Sequence, residues 1–395
     1  MAISRKLQQQ MAEGGWIRKM FEEGIALKKK FGESNVFDLS LGNPVMEPPE
    51  EFHQELSRWV NNPRAGMHRY MPNAGYPEVR AAVAEHLSSM TGIPFTQNEI
   101  VMTCGAAGGI NVALKTIVEA GDEVIILAPY FVEYIYYIDN AQALPRIIPT
   151  DNQFAPDLKI LEENVTSKTR AVLVNSPNNP TGAVYSHNTL KGIGELLSRK
   201  EVEYGREIFL ISDEVYRRLV YDGVECPYVF QYHPRTIVTT SYSKDLALPG
   251  ERIGYIAVNP LYEGRDELIN GLVFCNRVLG FVNAPALMQH VVRELQDASV
   301  DIDEYVRKRG LLYNSLVEMG YSMVKPMGAF YMFPRSPIAD DADFVKELQK
   351  YNVLVVPGKG FGAPGYFRIS YCVEDRVISG SLPGFRSAAK EFGLC

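Results

Sequence analysis

The chain lacks the features that mark several protein classes. Its five cysteines, Cys104, Cys226, Cys275, Cys372 and Cys395, are scattered, odd in number and form no C-x-x-C pair. That excludes a disulfide framework and matches reduced, cytoplasmic usage. The six histidines show no H-x-x-x-H or similar spacing, so no metal is expected. No apolar run reaches membrane length, and Met1 to Gln10 hold no apolar signal core, so no membrane partner is expected and a cytoplasmic location is. An excess of basic residues is missing too. Forty Lys and Arg stand against 47 Asp and Glu, a formal charge of −7, which argues against nucleic acid as the main partner. Internal repeats and low-complexity linkers are absent as well.

What remains is a soluble-enzyme composition over 395 residues, enough for two or three domains. The N-terminal segment reads as helix interrupted at Gly14-Gly15, with Ile17, Phe21 and Ile25 on one face. Pro44, Pro48 and Pro49 then impose an extended crossing. From about Glu99, short apolar runs alternate with helical stretches: Ile100–Thr103, Glu123–Leu127, Ala171–Val174, Ile208–Ile211, Thr236–Thr240 and Ile253–Val258. Continuous apolar runs suit strands buried on both faces, so the fold class is α/β with a large, mostly parallel sheet. Beyond Ala286 a long helical pattern runs through Val292, Leu295, Ile302, Val306, Tyr313 and Leu316, followed by strand-like Ala329–Met332 and Val353–Val356. The expected division is a large domain over 50–285 and a smaller α+β domain made of 1–49 with 286–395.

Ser241-Tyr242-Ser243-Lys244, followed by Gly250-Glu251-Arg252-Ile253-Gly254, offers an amine, two hydroxyls and a guanidinium within a dozen residues. A lysine forms an imine with a carbonyl, and serines with an arginine hold a phosphate dianion. The cofactor this combination fits is pyridoxal phosphate. Other candidates fall where ligands bind in α/β sheets, at the carboxyl ends of strands. Gly105-Ala106-Ala107 follows a strand and opens a helix, so its backbone N–H groups suit a phosphate. Phe131 lies past the next strand and offers a ring to stack on a heteroaromatic. Asn179, in Asn179-Pro180-Thr181-Gly182, has an amide for a phenolate oxygen. Asp213 ends a buried strand and would pair with a pyridinium N–H, making the ring an electron sink; Tyr216, one turn on, could join Asn179 at the phenolate. Each residue alone also has an ordinary explanation: a tight turn for Gly105 and Asn179, core packing for Phe131 and Tyr216, a helix N-cap for Asp213, surface charge for Lys244 and Arg252.

Taken together, Ser-x-Ser-Lys-x5-Gly-x-Arg-x-Gly, Asn179-Pro180-Thr181-Gly182 and Asp213-x-x-Tyr216 resemble the class I aminotransferase family of fold type I pyridoxal phosphate enzymes, similar to aspartate aminotransferase, over about Leu41 to Ser370. The resemblance implies a seven-stranded sheet and assigns further positions. Tyr70 matches the tyrosine that reaches the cofactor phosphate of a neighbouring subunit, which implies a homodimer with shared active sites. Gly42 and Arg368 match the glycine and arginine that meet the substrate α-carboxylate. Ala107 stands where one aspartate-specific subgroup has a lysine, and Arg277 is offset from the arginine of another. Trp16 and Tyr70 leave room for an apolar or aromatic amino acid.

The expected reaction is a ping-pong transfer of an amino group from an L-amino acid to a 2-oxo acid through a Lys244 imine, with Lys244 as proton shuttle, Asp213 and Tyr216 tuning the cofactor and Arg368 fixing the carboxylate. The alternative on the same frame is a carbon–sulfur β-lyase. A non-catalytic regulator on this fold would carry a DNA-binding domain, and the forty or so residues before Gly42 show no helix-turn-helix pattern.

Overall fold

The structure is a computed structural model that describes residues 2–13 and 15–394, without the side chains of residues 13, 16–19 and 21. The expected face through Ile17 and Phe21, the pocket role of Trp16, and Cys395 therefore lie outside the described residues. Two helices, Arg5–Glu13 and Trp16–Phe31, flank the expected interruption. A short strand, β1 (Phe37–Asp38), leads into the crossing segment.

The alternating region supplies β2 (Ile100–Thr103), β3 (Glu123–Ala128), β4 (Leu144–Pro149), β5 (Thr169–Asn175), β6 (Phe209–Asp213), β7 (Thr236–Ser241) and β8 (Gly254–Val258). They form one seven-stranded sheet in the order β2-β8-β7-β6-β5-β3-β4. β8 runs antiparallel to both neighbours, and every other pairing is parallel. The expected α/β architecture is thus observed. Its apolar runs work as two-faced strands. In β5, Val172 and Val174 enter one core, while Ala171 and Leu173 enter the core on the opposite face. Fully burying each such valine or leucine contributes about 1.5–3 kcal/mol. β4 escapes sequence reading because Pro145 and Pro149 interrupt it; as the edge strand it tolerates them.

Four short strands complete the fold: β9 (Tyr331–Met332), β10 (Val353–Leu354), β11 (Val356–Pro357) and β12 (Phe367–Ser370). β11, β12 and β9 form an antiparallel sheet, and β1 pairs in parallel with β10, tying the N-terminal segment to the C-terminal part. The strand expected from Ala329 starts only at Tyr331, because Ala329 takes a left-handed φ of 54°. The expected long helix after Ala286 is two helices, Ala286–Arg293 and Ile302–Glu318. Between them the Val300 N–H donates to the Asp245 carbonyl at 2.7 Å, and Asp301 caps the second helix by accepting from the Asp303 N–H at 3.0 Å. The first helix packs on the large-sheet core through Met288, Val291 and Val292, the second on the small-sheet core through Tyr305, Leu312 and Leu316.

Register aligns one edge of the large sheet. Thr103 and Ser241 both pair with Gly254, Thr239 with Asp213, and Asp213 with Asn175. The chain therefore leaves β2, β5, β6 and β7 side by side. Gly254 allows this convergence: a Cβ there would lie 2.3 Å from the Thr240 carbonyl oxygen and 3.1 Å from Gly105 Cα.

Candidate active site

A cavity of about 300 Å³ opens at that edge. Twelve of the residues singled out from sequence line it: Gly42, Ala106, Ala107, Phe131, Asn179, Asp213, Tyr216, Ser241, Ser243, Lys244, Arg252 and Arg368. Gly105 stands just behind, where its φ of +74° and missing side chain leave the Arg252 guanidinium room; a Cβ would meet Nη2 at 3.0 Å. Tyr70 is outside the cavity and 90 % exposed. Arg277 is outside as well, its guanidinium 5.3 Å from the Phe274 ring.

Lys244 follows β7 and is half-buried, with Nζ donating to the Gly42 carbonyl at 2.9 Å. Burial first, then the nearby Arg368 and Arg252, pulls its pKa down to about 8. A lysine so shifted carries a substantial neutral fraction near neutral pH, as an amine nucleophile or base requires.

Asp213, the last residue of β6, is buried. The Tyr134 hydroxyl donates to its Oδ2 at 2.6 Å, while Oδ1 is buried with no partner. Burial raises its pKa to about 6 against the pull of the Tyr134 hydroxyl and the Val215 backbone N–H. An anionic oxygen left unpaired in low dielectric is costly unless a cationic donor arrives.

Ser241 donates to Ser243 at 3.0 Å, and Arg252 is held by the Pro249 carbonyl at 3.0 Å with a left-handed φ of 54°. These groups face Ala106 and Ala107 in the first turn of the helix Gly105–Ile117, whose free N–H groups and dipole favour an anion. Hydroxyls, guanidinium and helix terminus converge as donors suited to an anion.

Arg368 lies on β12 and is 2 % exposed. Its guanidinium sits between the Tyr331 and Phe361 rings, 4.7 and 4.8 Å from their centroids. It donates to Asn179 Oδ1 at 3.1 Å and to the Ser40 carbonyl at 2.5 Å, and its Nε has no partner. Among the described residues no carboxylate pairs with it, and burial lowers its pKa. Because the Asn179 carbonyl is committed to Arg368, its NH2 is the group left to donate into the cavity.

Sequence reasoning missed Tyr134, Tyr137, Asn175 and Tyr331, all of which line the cavity. Asn175 accepts from the Asn179 N–H at 2.7 Å and donates to the Asp213 carbonyl at 2.9 Å, locking two candidate residues together. Tyr331 meets Tyr216 hydroxyl to hydroxyl at 3.0 Å. Tyr134 stands one helical turn after Phe131, the same offset that singled out Tyr216 after Asp213, and that spacing was its available signal. Tyr331 lay inside a run legible only as a strand.

An amine, an unpaired carboxylate oxygen and a set of anion donors at the edge of one mostly parallel sheet are the groups a pyridoxal phosphate enzyme of fold type I requires. The chain belongs to the aminotransferase class I and II family, whose model matches residues 34–379. It is 33 % identical over 409 aligned positions to aromatic-amino-acid aminotransferase 2 of Thermococcus litoralis, covering 99 % of both chains. It is 32 % identical over 357 positions to a probable aspartate aminotransferase of Methanocaldococcus jannaschii, covering 88 % of this chain and 92 % of that one. An aminotransferase structure from Eubacterium rectale superposes with a TM-score of 0.95 at 39 % identity over 99 % of both chains. The chain is therefore an aminotransferase with pyridoxal phosphate as cofactor and amino acid and oxo acid substrates. Among the described residues no helix is long and apolar enough to cross a membrane.

The unpaired Asp213 oxygen has a measurable consequence in protein stripped of cofactor. With its folded pKa raised from 3.8 to about 6, the carboxyl lowers stability progressively as pH rises through that interval, and in full above it. Asp213→Asn is expected to gain stability over the parent by about 1 kcal/mol more at pH 7.5 than at pH 5. Urea unfolding of the stripped proteins at both pH values checks this; an equal difference at the two would mean that the carboxyl is not destabilised.

Proposed function

We propose that the residues of this cavity divide into a cofactor grip, an α-carboxylate clamp and one proton-moving amine. Bound pyridoxal phosphate supplies an electrophilic carbonyl carbon and a ring that accepts electron density. Lys244 would hold it covalently, with Asp213 Oδ1 accepting the ring N–H and Asn179 and Tyr216 donating to the phenolic oxygen. Ser241, Ser243, Arg252 and the helix terminus at Gly105, Ala106 and Ala107 would grip the phosphate, and Phe131 would cover the ring. The observation that carries the assignment is the pair of uncompensated charges on one cavity: a buried arginine without a carboxylate and a buried carboxylate oxygen without a donor.

Arg368 binds the substrate α-carboxylate through a bidentate pair, with Asn179 and the Gly42 backbone beside it. Lys244 Nζ would serve as the base that removes the substrate α-proton and as the acid that returns it. The first 2-oxo acid leaves before the second enters, so the kinetics are ping-pong.

The preferred amino acid has a neutral, apolar or aromatic side chain. Support comes from the cavity's cations, which among the described residues are Lys244, Arg252 and Arg368, all assigned to other tasks, and from Ala107, which lines the cavity where the resembled aspartate-specific subgroup has a lysine. The relative from Thermococcus litoralis carries an aromatic-amino-acid name. A homodimer completes the site, with Tyr70 reaching the neighbouring phosphate. Its 90 % exposure supports a second copy covering it, and Phe274, Val278 and Leu279 are further exposed apolar side chains that a partner could cover. The scattered free cysteines support a cytoplasmic location.

Four outcomes are expected. Lys244→Ala folds but loses turnover by at least about 10³-fold, since anchor and base go together; near-normal transamination by this variant would sink the assignment. In a panel of amino acids scored by loss of the visible cofactor band, phenylalanine, tyrosine and leucine react in preference to aspartate, and Arg368→Ala raises KM for all of them by about 10²-fold. An effect confined to one substrate would instead give the guanidinium a side-chain role. Light scattering reads twice the 44.3 kDa chain mass; a monomer at working concentration removes Tyr70 from the site.

A further inference from the structure

Tyr331 belongs to none of the groups assigned above, yet it touches three of them. It is 2 % exposed and lines the cavity from β9. Its register partner across the small sheet is Ser370, and Arg368 lies two residues from Ser370 on the same face. That neighbourhood explains the 4.7 Å approach of the Arg368 guanidinium to the Tyr331 ring. The hydroxyl end reaches the large-sheet side, 3.0 Å from the Tyr216 hydroxyl. A Cβ on residue 42 would fall only 2.0 Å from that oxygen, so Tyr331 occupies the room that the missing side chain of Gly42 provides.

Hydrogen counting sets the direction of the contact. A tyrosine hydroxyl has one proton to give. If Tyr216 spends its proton on the cofactor's phenolic oxygen, the bond between the two tyrosines must run from Tyr331 to Tyr216. Donation into the Tyr216 oxygen polarises its O–H and strengthens it as a donor. It also fixes where that O–H points. Both rings are held: Tyr216 packs edge-on to Phe330 and to Tyr331, at 5.3 and 5.8 Å between centroids.

We propose that Tyr331 is a positioning residue of the aminotransferase site: its hydroxyl aims and strengthens the Tyr216 donor, and its ring holds the Arg368 guanidinium flat for a carboxylate. It is a direct bridge from the small sheet, which carries the carboxylate clamp, to the large sheet, which carries the cofactor grip. The inference rests on the reading of Tyr216 as a donor to the phenolic oxygen, and the test separates the two.

The test uses the cofactor-loaded protein and reads the pH at which its visible band changes, for Tyr216→Phe, Tyr331→Phe and the double variant. The other titratable groups acting on the hydroxyl pair, Tyr134, Asp213, Tyr305, Arg368 and Cys372, are present in all three, as is Lys244, whose Nζ is bound to the Gly42 carbonyl nearby. A donor to the phenolic oxygen stabilises its unprotonated form, so losing it raises the transition. Tyr216→Phe is expected to raise it by about one pH unit and Tyr331→Phe by about half a unit, with the double variant no higher than Tyr216→Phe alone. If Tyr216→Phe moves the transition and Tyr331→Phe does not, or if their shifts add in full, the proposal falls while the Tyr216 reading stands. If neither moves it, both fall. For the ring, 3-phenylpropionate serves as an unreactive carboxylate probe. Tyr331→Phe keeps its Kd within about twofold, and Tyr331→Leu raises it about fivefold; equal Kd values for the two variants would overturn the ring's part.

Discussion

The structure depends most on charge held in a dry place without its natural partner. Asp213 keeps one buried oxygen bare, and among the described residues Arg368 is buried with no carboxylate to pair with it. Either arrangement costs stability in the isolated chain. The same arrangement makes the cavity receptive: in the roles proposed above, a cationic ring N–H and an anionic carboxylate would relieve the two strains as they bind. Desolvation also brings Lys244 toward the range where its amine is usable. One physical condition, exclusion of water at the edge of the large sheet, thus prepares three groups for three different tasks.

The supporting structure keeps those groups from relaxing. Asn175 ties the Asn179 backbone to that of Asp213, so neither can shift alone. Tyr134 fixes one oxygen of Asp213 and leaves the other to the cavity. Two aromatic rings clamp the Arg368 guanidinium where a carboxylate partner would have neutralised it. Holding a cation with rings and carbonyls preserves its positive charge for a ligand.

Much of the site was legible because its residues recur at fixed offsets. Ser241, Ser243, Lys244 and Arg252 lie at the end of β7 and in the loop after it, and Tyr216 is one turn from Asp213, so their proximity follows from local geometry. The large sheet was legible because strands buried on both faces must be continuously apolar. Tyr331 was not, since a buried tyrosine in an apolar run looks the same whether its hydroxyl meets core or cavity. The helix after Ala286 was overextended because its apolar spacing continues across residues 294–301, whereas a bond from Val300 to Asp245, far away in the chain, breaks it. β4 was hidden by prolines that only an edge position tolerates.

The sequence by itself determined the alternation that builds the sheet, the loop that combines an amine with a phosphate cradle, and the family these imply. Each is a matter of residue type at short spacing. The tertiary structure decided which residues stand beside one another from distant segments: Gly42 against Lys244, Asn179 against Arg368, Tyr331 against Tyr216. It also decided which polar atoms have no partner. Burial and hydrogen-bond satisfaction are properties of the packed molecule, set by strand order and register, and spacing along the chain does not encode them directly.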